Sequence, residues 1–143
     1  MYEEVKEEIK LCEGYVNKIY KCSENFDTIF YGHKVTPEDT YEHGVEYPKE
    51  MGEEVFEKDF QRTLDAAERL IGNRPINNTA KEVIINMVYQ IGEGGVSKFK
   101  NMWKALDNED YGEASFQMLD SLWAKQTPAR AGKLAGKMRS AKL

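Results

Sequence analysis

From Lys49 to Ile71 the chain runs 23 residues without a proline, and Met51, Val55, Phe60, Leu64, Ala67 and Ile71 recur every three to five positions. The spacing predicts one long helix with a single apolar stripe. Gly72-Asn73 and Pro75 end it. A chain of 143 residues organised around such a helix is one domain, or two small lobes sharing the helix. It is long enough to bury about two thirds of its unfolded surface and so to hold its own core. Hydrophobic residues make up 41% and charged residues 31%, which argues against a disordered chain. The longest apolar run, Val83-Ile84-Ile85, is interrupted by Asn86, far short of the ~20 residues of a membrane span.

The rest of the pattern is also helical, with one exception near the start. Val5, Ile9 and Cys12 share a face, which predicts a first helix over 3–12 stopped by Gly14. Ile19-Tyr20 and Phe26 to Tyr31 are β-branched and aromatic, and Ser23-Glu24-Asn25 between them is turn material. Residues 15–34 therefore read as a β-hairpin, with Gly32-His33 leaving its second arm. Residues 36–48 read as a polar loop with a short extra strand near Val45. Thr79 with Glu82 fits a capping box and opens a helix whose Val83, Ile84, Met87, Val88 and Ile91 predict a central, buried position. Gly92-Glu93-Gly94-Gly95 breaks the chain. Val96, Phe99, Trp103 and Leu106 mark another helix, and residues 111–123 a further one. Thr127-Pro128, a cap followed by proline at the first helical position, opens a last helix through Ala131, Leu134, Ala135 and Met138. The class is α+β, mainly helical.

Charge is unevenly placed. Residues 121–143 hold Lys125, Arg130, Lys133, Lys137, Arg139 and Lys142 and no acid, although the whole chain carries −5. Two readings fit: a basic face toward an anionic partner, or a basic tail matched to an acidic body. An acidic chain without a binding motif does not point to nucleic acid. Two cysteines and two histidines give neither a disulfide scaffold nor a zinc spacing, so no metal or cofactor is expected. The start, Met-Tyr-Glu-Glu-Val-Lys-Glu-Glu, has no basic region or apolar core, so no secretory signal is expected.

The chemistry concentrates in residues 13–33. Glu13 falls at the end of the first helix, Cys22 at the hairpin turn and Thr28 on the second arm. Eight residues separate Glu13 from Cys22, and five separate Cys22 from Thr28. Singly, each has an ordinary role: a solvated carboxylate, a small buried thiol, a strand former. The C-terminal end of a helix is nonetheless the wrong end for a carboxylate.

Together with their neighbours they are specific. Leu11-Cys12-Glu13-Gly14, Ile19-Tyr20-Lys21-Cys22 and Thr28-Ile29-Phe30-Tyr31-Gly32-His33 resemble the lysozymes of T-even bacteriophages, the phage-type muramidases of glycoside hydrolase family 24. The family triad is a Glu, eight residues, an Asp or Cys, five residues and a Thr; here the Cys form stands. Ile85 to Glu93 resembles the family's central-helix segment, and Trp123 with Gln126-Thr127-Pro128 and Arg130 its C-terminal signature. Phe30 stands where the family usually has Gly, and its ring would crowd the cleft or offer a stacking surface for sugar.

The resemblance implies one two-lobed lysozyme domain over 1–143. A small β-hairpin lobe covers about 14–60, and a helical lobe covers about 1–13 and 61–143. The long helix joins them. It implies hydrolysis of the β-1,4 bond between N-acetylmuramic acid and N-acetylglucosamine in peptidoglycan. Glu13 would protonate the leaving oxygen and Thr28 would hold water. Three readings of Cys22 stay open: a thiolate base, a group that only orients water, or a nucleophile on the sugar carbon. Glu24 and Asp27, if close, would disfavour a thiolate. His33 would buttress the hairpin side, and Arg130 matches an arginine placed near the acid. Lys34, Tyr89, Gln90, Met102 and Gln117 occupy glycan-binding positions, with Lys34 replacing an apolar residue. The implied protein is a monomeric endolysin. It would stay in the host cytoplasm until a holin opens the way to the periplasm and cell wall, without stable membrane insertion. Two alternatives stand: a virion-associated lysozyme domain used at infection, and a catalytically impaired module that keeps the fold and serves in glycan binding or interaction.

Overall fold

The computed structural model describes residues 2–141, so Lys142 of the basic segment lies outside the described residues. The elements run α1 (Glu3–Glu13), β1 (Val16–Lys21), β2 (Asp27–Phe30), β3 (His33–Lys34), α2 (Lys49–Ile71), α3 (Asn78–Ser97), α4 (Lys100–Asp107), α5 (Tyr111–Leu119), α6 (Leu122–Gln126) and α7 (Pro128–Ser140). This is the mainly helical α+β class expected. The chain forms two compact units that divide between Arg62 and Thr63, within α2.

In the first unit, three antiparallel strands lie in the order β1-β2-β3. The hairpin tip is a tight loop: the Asn25 N–H donates to the Cys22 carbonyl at 2.8 Å, and Asn25 takes the left-handed conformation that Asn tolerates. The third strand is His33–Lys34 rather than a strand near Val45, which lies in the loop. Residues 2–13 cluster with this unit. Lys6 meets Glu57 at 2.9 Å and Lys10 meets Glu53 at 2.8 Å, so α1 is fastened to the early turns of α2.

Phe30 is not a sugar platform. It is 1% exposed and packs among Tyr15, Tyr41 and Tyr47, with ring centroids 5.4–6.3 Å away. Its φ of 59° is left-handed and costs an L-residue about 1–2 kcal/mol. Burying a Phe contributes roughly 1.5–3 kcal/mol, and aromatic pairs add about 0.5–1.5 kcal/mol each, so packing wins. α2 admits this cluster at Gly52, where a Cβ would stand 2.7 Å from Tyr15 Cε1 and 3.0 Å from Phe30 Cδ1. The buried stripe of α2 accordingly runs through Gly52, Phe56 and Phe60, one position past the Met51 and Val55 expected there.

In the second unit, α7 packs on α3, α5 and α6, and α4 packs on α5. Residues 83–88 of α3 are all buried, the central position its composition predicts. Asn77, not Thr79, caps this helix by accepting from the Ala80 N–H at 3.0 Å. The expected helix over 111–123 is two helices, because Ser121 caps α6 by accepting from the Ala124 N–H. Thr127 does precede Pro128 at the start of α7, but its hydroxyl donates to the Trp123 carbonyl instead of capping. Lys137 pairs with Glu82 at 2.9 Å, so part of the basic segment is neutralised internally.

Candidate active site

Glu13 is the last residue of α1, and Gly14 ends the helix with its N–H on the Lys10 carbonyl. The Glu13 carboxyl lies against the turn between β2 and β3. A Cβ added to Gly32 would stand 2.9 Å from Glu13 Cδ, and Gly32 has φ +69°. Only glycine satisfies both conditions.

The strands supply the other side. Val16 pairs with Phe30, yet Tyr20 pairs with Thr28, so β1 carries an irregularity that sets Tyr20 opposite Thr28. Thr28 in turn pairs with Lys34 on β3. Directly opposed residues share a sheet face, so Tyr20, Thr28 and Lys34 form one row. Cys22 follows Tyr20 by two residues, the strand period that keeps it on that face. The Tyr20 phenol is raised by burial and then by the charges of both Glu13 and Cys22. Glu13, Tyr20, Cys22 and Thr28 are therefore gathered in space. Tyr20 is the member that residue-type reasoning missed; its two-residue offset from Cys22 was the available signal.

Cys22 is half-buried and free. Desolvation opposes a charged sulfur. The backbone N–H groups of Phe26 and Glu24, the Thr28 hydroxyl and the Lys34 ammonium together outweigh it, holding the thiol below its ordinary value. The expectation that Glu24 and Asp27 work against a thiolate is thus corrected. Glu24 presents its backbone N–H to the sulfur, and Asp27 is occupied by Lys21 at 2.8 Å and His43 at 3.1 Å. Thr28 is 3% exposed, and its hydroxyl donates to the Phe26 carbonyl at 2.9 Å.

His33 is a staple. Nδ1 lies 2.8 Å from Asp59 Oδ2 on α2, and Nε2 lies 2.9 Å from Asp39 Oδ2 in the following loop. Arg62 completes the cluster on Asp59, and Thr36 caps Asp39. Burial disfavours the charged ring, but the two carboxylates overcome it and hold His33 above the ordinary imidazole value. A group whose folded pKa is raised stabilises fully below its unfolded pKa of about 6.5, and loses that contribution as pH rises through the folded value. Denaturation midpoints should therefore fall from pH 6 to pH 8.5. His33→Gln should be less stable at pH 6 and nearly flat across the window. An equally steep fall in the variant would assign the effect to other groups.

The remaining site residues lie in the second unit. Gln90 accepts from the Trp123 indole N–H at 2.8 Å, and Gln117 donates to Glu113 at 2.6 Å. Tyr89 is half-buried beside Gln90 on α3. Arg130 binds the Asn86 amide oxygen through Nε at 3.0 Å and a second guanidinium nitrogen at 2.6 Å. Met102 is 0% exposed, so its side chain is core, beside Trp103 on α4. Among the described residues, no three His, Cys, Asp or Glu side chains gather to hold a metal, and no helix is long and apolar enough to cross a membrane.

Comparison with known proteins adds the following. The family model described as phage lysozyme matches residues 10–140. A probable T4-type lysozyme of Dictyostelium discoideum is 29% identical, over 94% of this chain and 92% of its own length. The pre-baseplate central spike protein Gp5 of Enterobacteria phage T4 is 28% identical, over 85% of this chain but 25% of its own length. A peptidoglycan hydrolase, gp36 of Pseudomonas phage phiKMV, is 26% identical, over 88% of this chain and 14% of its own length.

Proposed function

The chain belongs to the phage lysozyme family, and from that membership we propose that it is an endolysin cleaving the β-1,4 bond between N-acetylmuramic acid and N-acetylglucosamine, with Glu13 as general acid. It is a glycoside hydrolase of the lysozyme type, and peptidoglycan is its substrate. The observation that carries the assignment of residues is the gathering of Glu13, Cys22 and Thr28 around Tyr20. Glu13 ends α1 and presents its carboxyl against the turn at Gly32, the place from which it would protonate the leaving oxygen. Thr28 and Cys22 hold water on the sheet side, with the sulfur accepting its proton. Lys34 in the first unit and Tyr89, Gln90 and Gln117 in the second each contact glycan in this reading, and His33 keeps β3 in place. The protein acts as a monomer. It waits in the host cytoplasm until a holin gives it passage to the cell wall.

Purified Gram-negative peptidoglycan is digested, reduced with borohydride and hydrolysed. Muramitol is the expected new alcohol, because cleavage at this bond leaves N-acetylmuramic acid as the reducing end. Glucosaminitol would place the cut at the other glycosidic bond. No new alcohol from a folded chain would favour a glycan-binding module.

A further inference from the structure

We propose that Glu53 is a positioning residue for Glu13: its one carboxylate holds both the helix that carries the acid and the turn against which the acid lies. This rests on the reading of Glu13 as the general acid. Glu53 Oε1 accepts from the Lys10 ammonium at 2.8 Å, and Oε2 accepts from the Tyr31 phenol at 2.6 Å. Both are charge-assisted hydrogen bonds, the strong kind. The Lys49 ammonium stands 3.9 Å from Oε2 and adds a second cation. The bonds from Lys10 and Tyr31 hold the Glu53 carboxyl below the usual carboxylate range, so it is ionised at neutral pH.

The places gripped are what matter. Lys10 precedes Glu13 by three residues on α1, so the two are neighbours on the helix surface. The Lys10 carbonyl also accepts the Gly14 N–H that closes the helix behind the acid. Tyr31 is the residue before Gly32, where a Cβ would stand 2.9 Å from Glu13 Cδ. One grip thus lies on the acid's side of that contact and the other on the glycine's. Aromatic packing stiffens both. The Lys10 ammonium lies 5.2 Å from the Tyr31 ring centroid and 4.8 Å from that of Phe56. Tyr31 packs at 4.8 Å on Tyr15, two residues beyond Glu13. Lys6 and Glu57, at 2.9 Å, join the same two helices one turn further from the acid, and so offer a matched comparison.

The test is release of reducing ends by the full chain over a range of peptidoglycan concentrations, at a temperature where every variant is folded. Glu53→Gln keeps the shape but turns one accepting oxygen into a donating amide, so one grip is lost. It should lower kcat about 10- to 100-fold, the scale of a misplacement approaching 1 Å, with KM within about twofold of the parent. Tyr31→Phe removes the phenol alone and should lower kcat about 3- to 10-fold; it decides the matter if Glu53→Gln does not fold. Glu57→Gln, which breaks the comparison pair, should keep its kcat. In a Glu13→Gln background, Glu53→Gln should cost less than about twofold more, because the acid it positions is already gone. A kcat within about twofold of the parent in either folded variant, Glu53→Gln or Tyr31→Phe, would overturn the proposal. So would an equal loss in Glu57→Gln, which would make the effect a general fastening of α1. A full further loss on top of Glu13→Gln would place the action of Glu53 elsewhere and overturn it too. Loss of turnover in Glu13→Gln beside a parent-like Glu53→Gln sinks this proposal alone. A Glu13→Gln that keeps turnover sinks the reading of the acid, and the proposal with it.

Discussion

Glu13→Gln should leave a folded protein that releases reducing ends from peptidoglycan about 100- to 10,000-fold more slowly than the parent, the range a lost general acid commands. Glutamine has nearly the shape of glutamate and fits the same space against Gly32, so the change removes the transferable proton and the ionisable charge while keeping the side chain's volume. The loss should fall on kcat, because the proton moves only as the bond breaks. Binding to insoluble peptidoglycan should persist, since the glycan-contact positions lie on other elements. Sedimentation with the polymer and reducing-end assays on the same preparation separate the two effects. A tenth or more of the parent rate would remove Glu13 from the role of acid. Loss of binding and turnover together, with the fold intact, would make it a substrate anchor instead.

What the sequence disclosed about this site follows from which forces are local. The bounds of α2 agree with Lys49–Ile71 because Pro48 and Gly72 punctuate it from neighbouring positions. The break between α5 and α6 escaped because Tyr111, Met118 and Trp123 keep a helical rhythm across it, while the Ser121 cap depends on one hydrogen bond. Phe30 in place of glycine suggested a ring that crowds the cleft or stacks on sugar; its burial depends on Tyr41 and Tyr47, further along the chain in a segment that reads as polar loop with at most a short strand. His33 was legible as a support, but its two carboxylates are six and 26 residues away and carry no pattern that marks them. Cys22 shows the difference most sharply. Glu24 and Asp27 follow it closely in sequence, yet the groups that face it are backbone N–H donors, a hydroxyl and a cation brought by the third strand. The triad spacing belonged to the sequence; the electrostatics of the thiol belonged to the ladder.

Gly32→Ala should cost turnover more than stability. At φ +69° an added methyl carries a backbone penalty of about 1 kcal/mol, and it also meets the Glu13 carboxyl at less than van der Waals distance. Something must move. The turn is fixed on its far side, because the next residue, His33, is clamped by Asp39 and Asp59. The Glu13 side chain is the softer partner, so it should rotate and spare the fold. The expected stability loss is therefore about 1–2 kcal/mol, a fall of roughly 3–8 °C in Tm. Displacing the acid by about 1 Å costs on the order of 100-fold in rate. Gly44→Ala supplies the control. Gly44 also has positive φ, at +84°, but a Cβ there meets nothing within 4 Å. It should lose comparable stability and keep its turnover. If both variants keep full activity, the contact between Gly32 and Glu13 does not position the acid. If Gly32→Ala alone loses activity at a temperature where both are folded, the turn and the acid act as one unit, and the tightness of this hairpin serves catalysis and not only the fold.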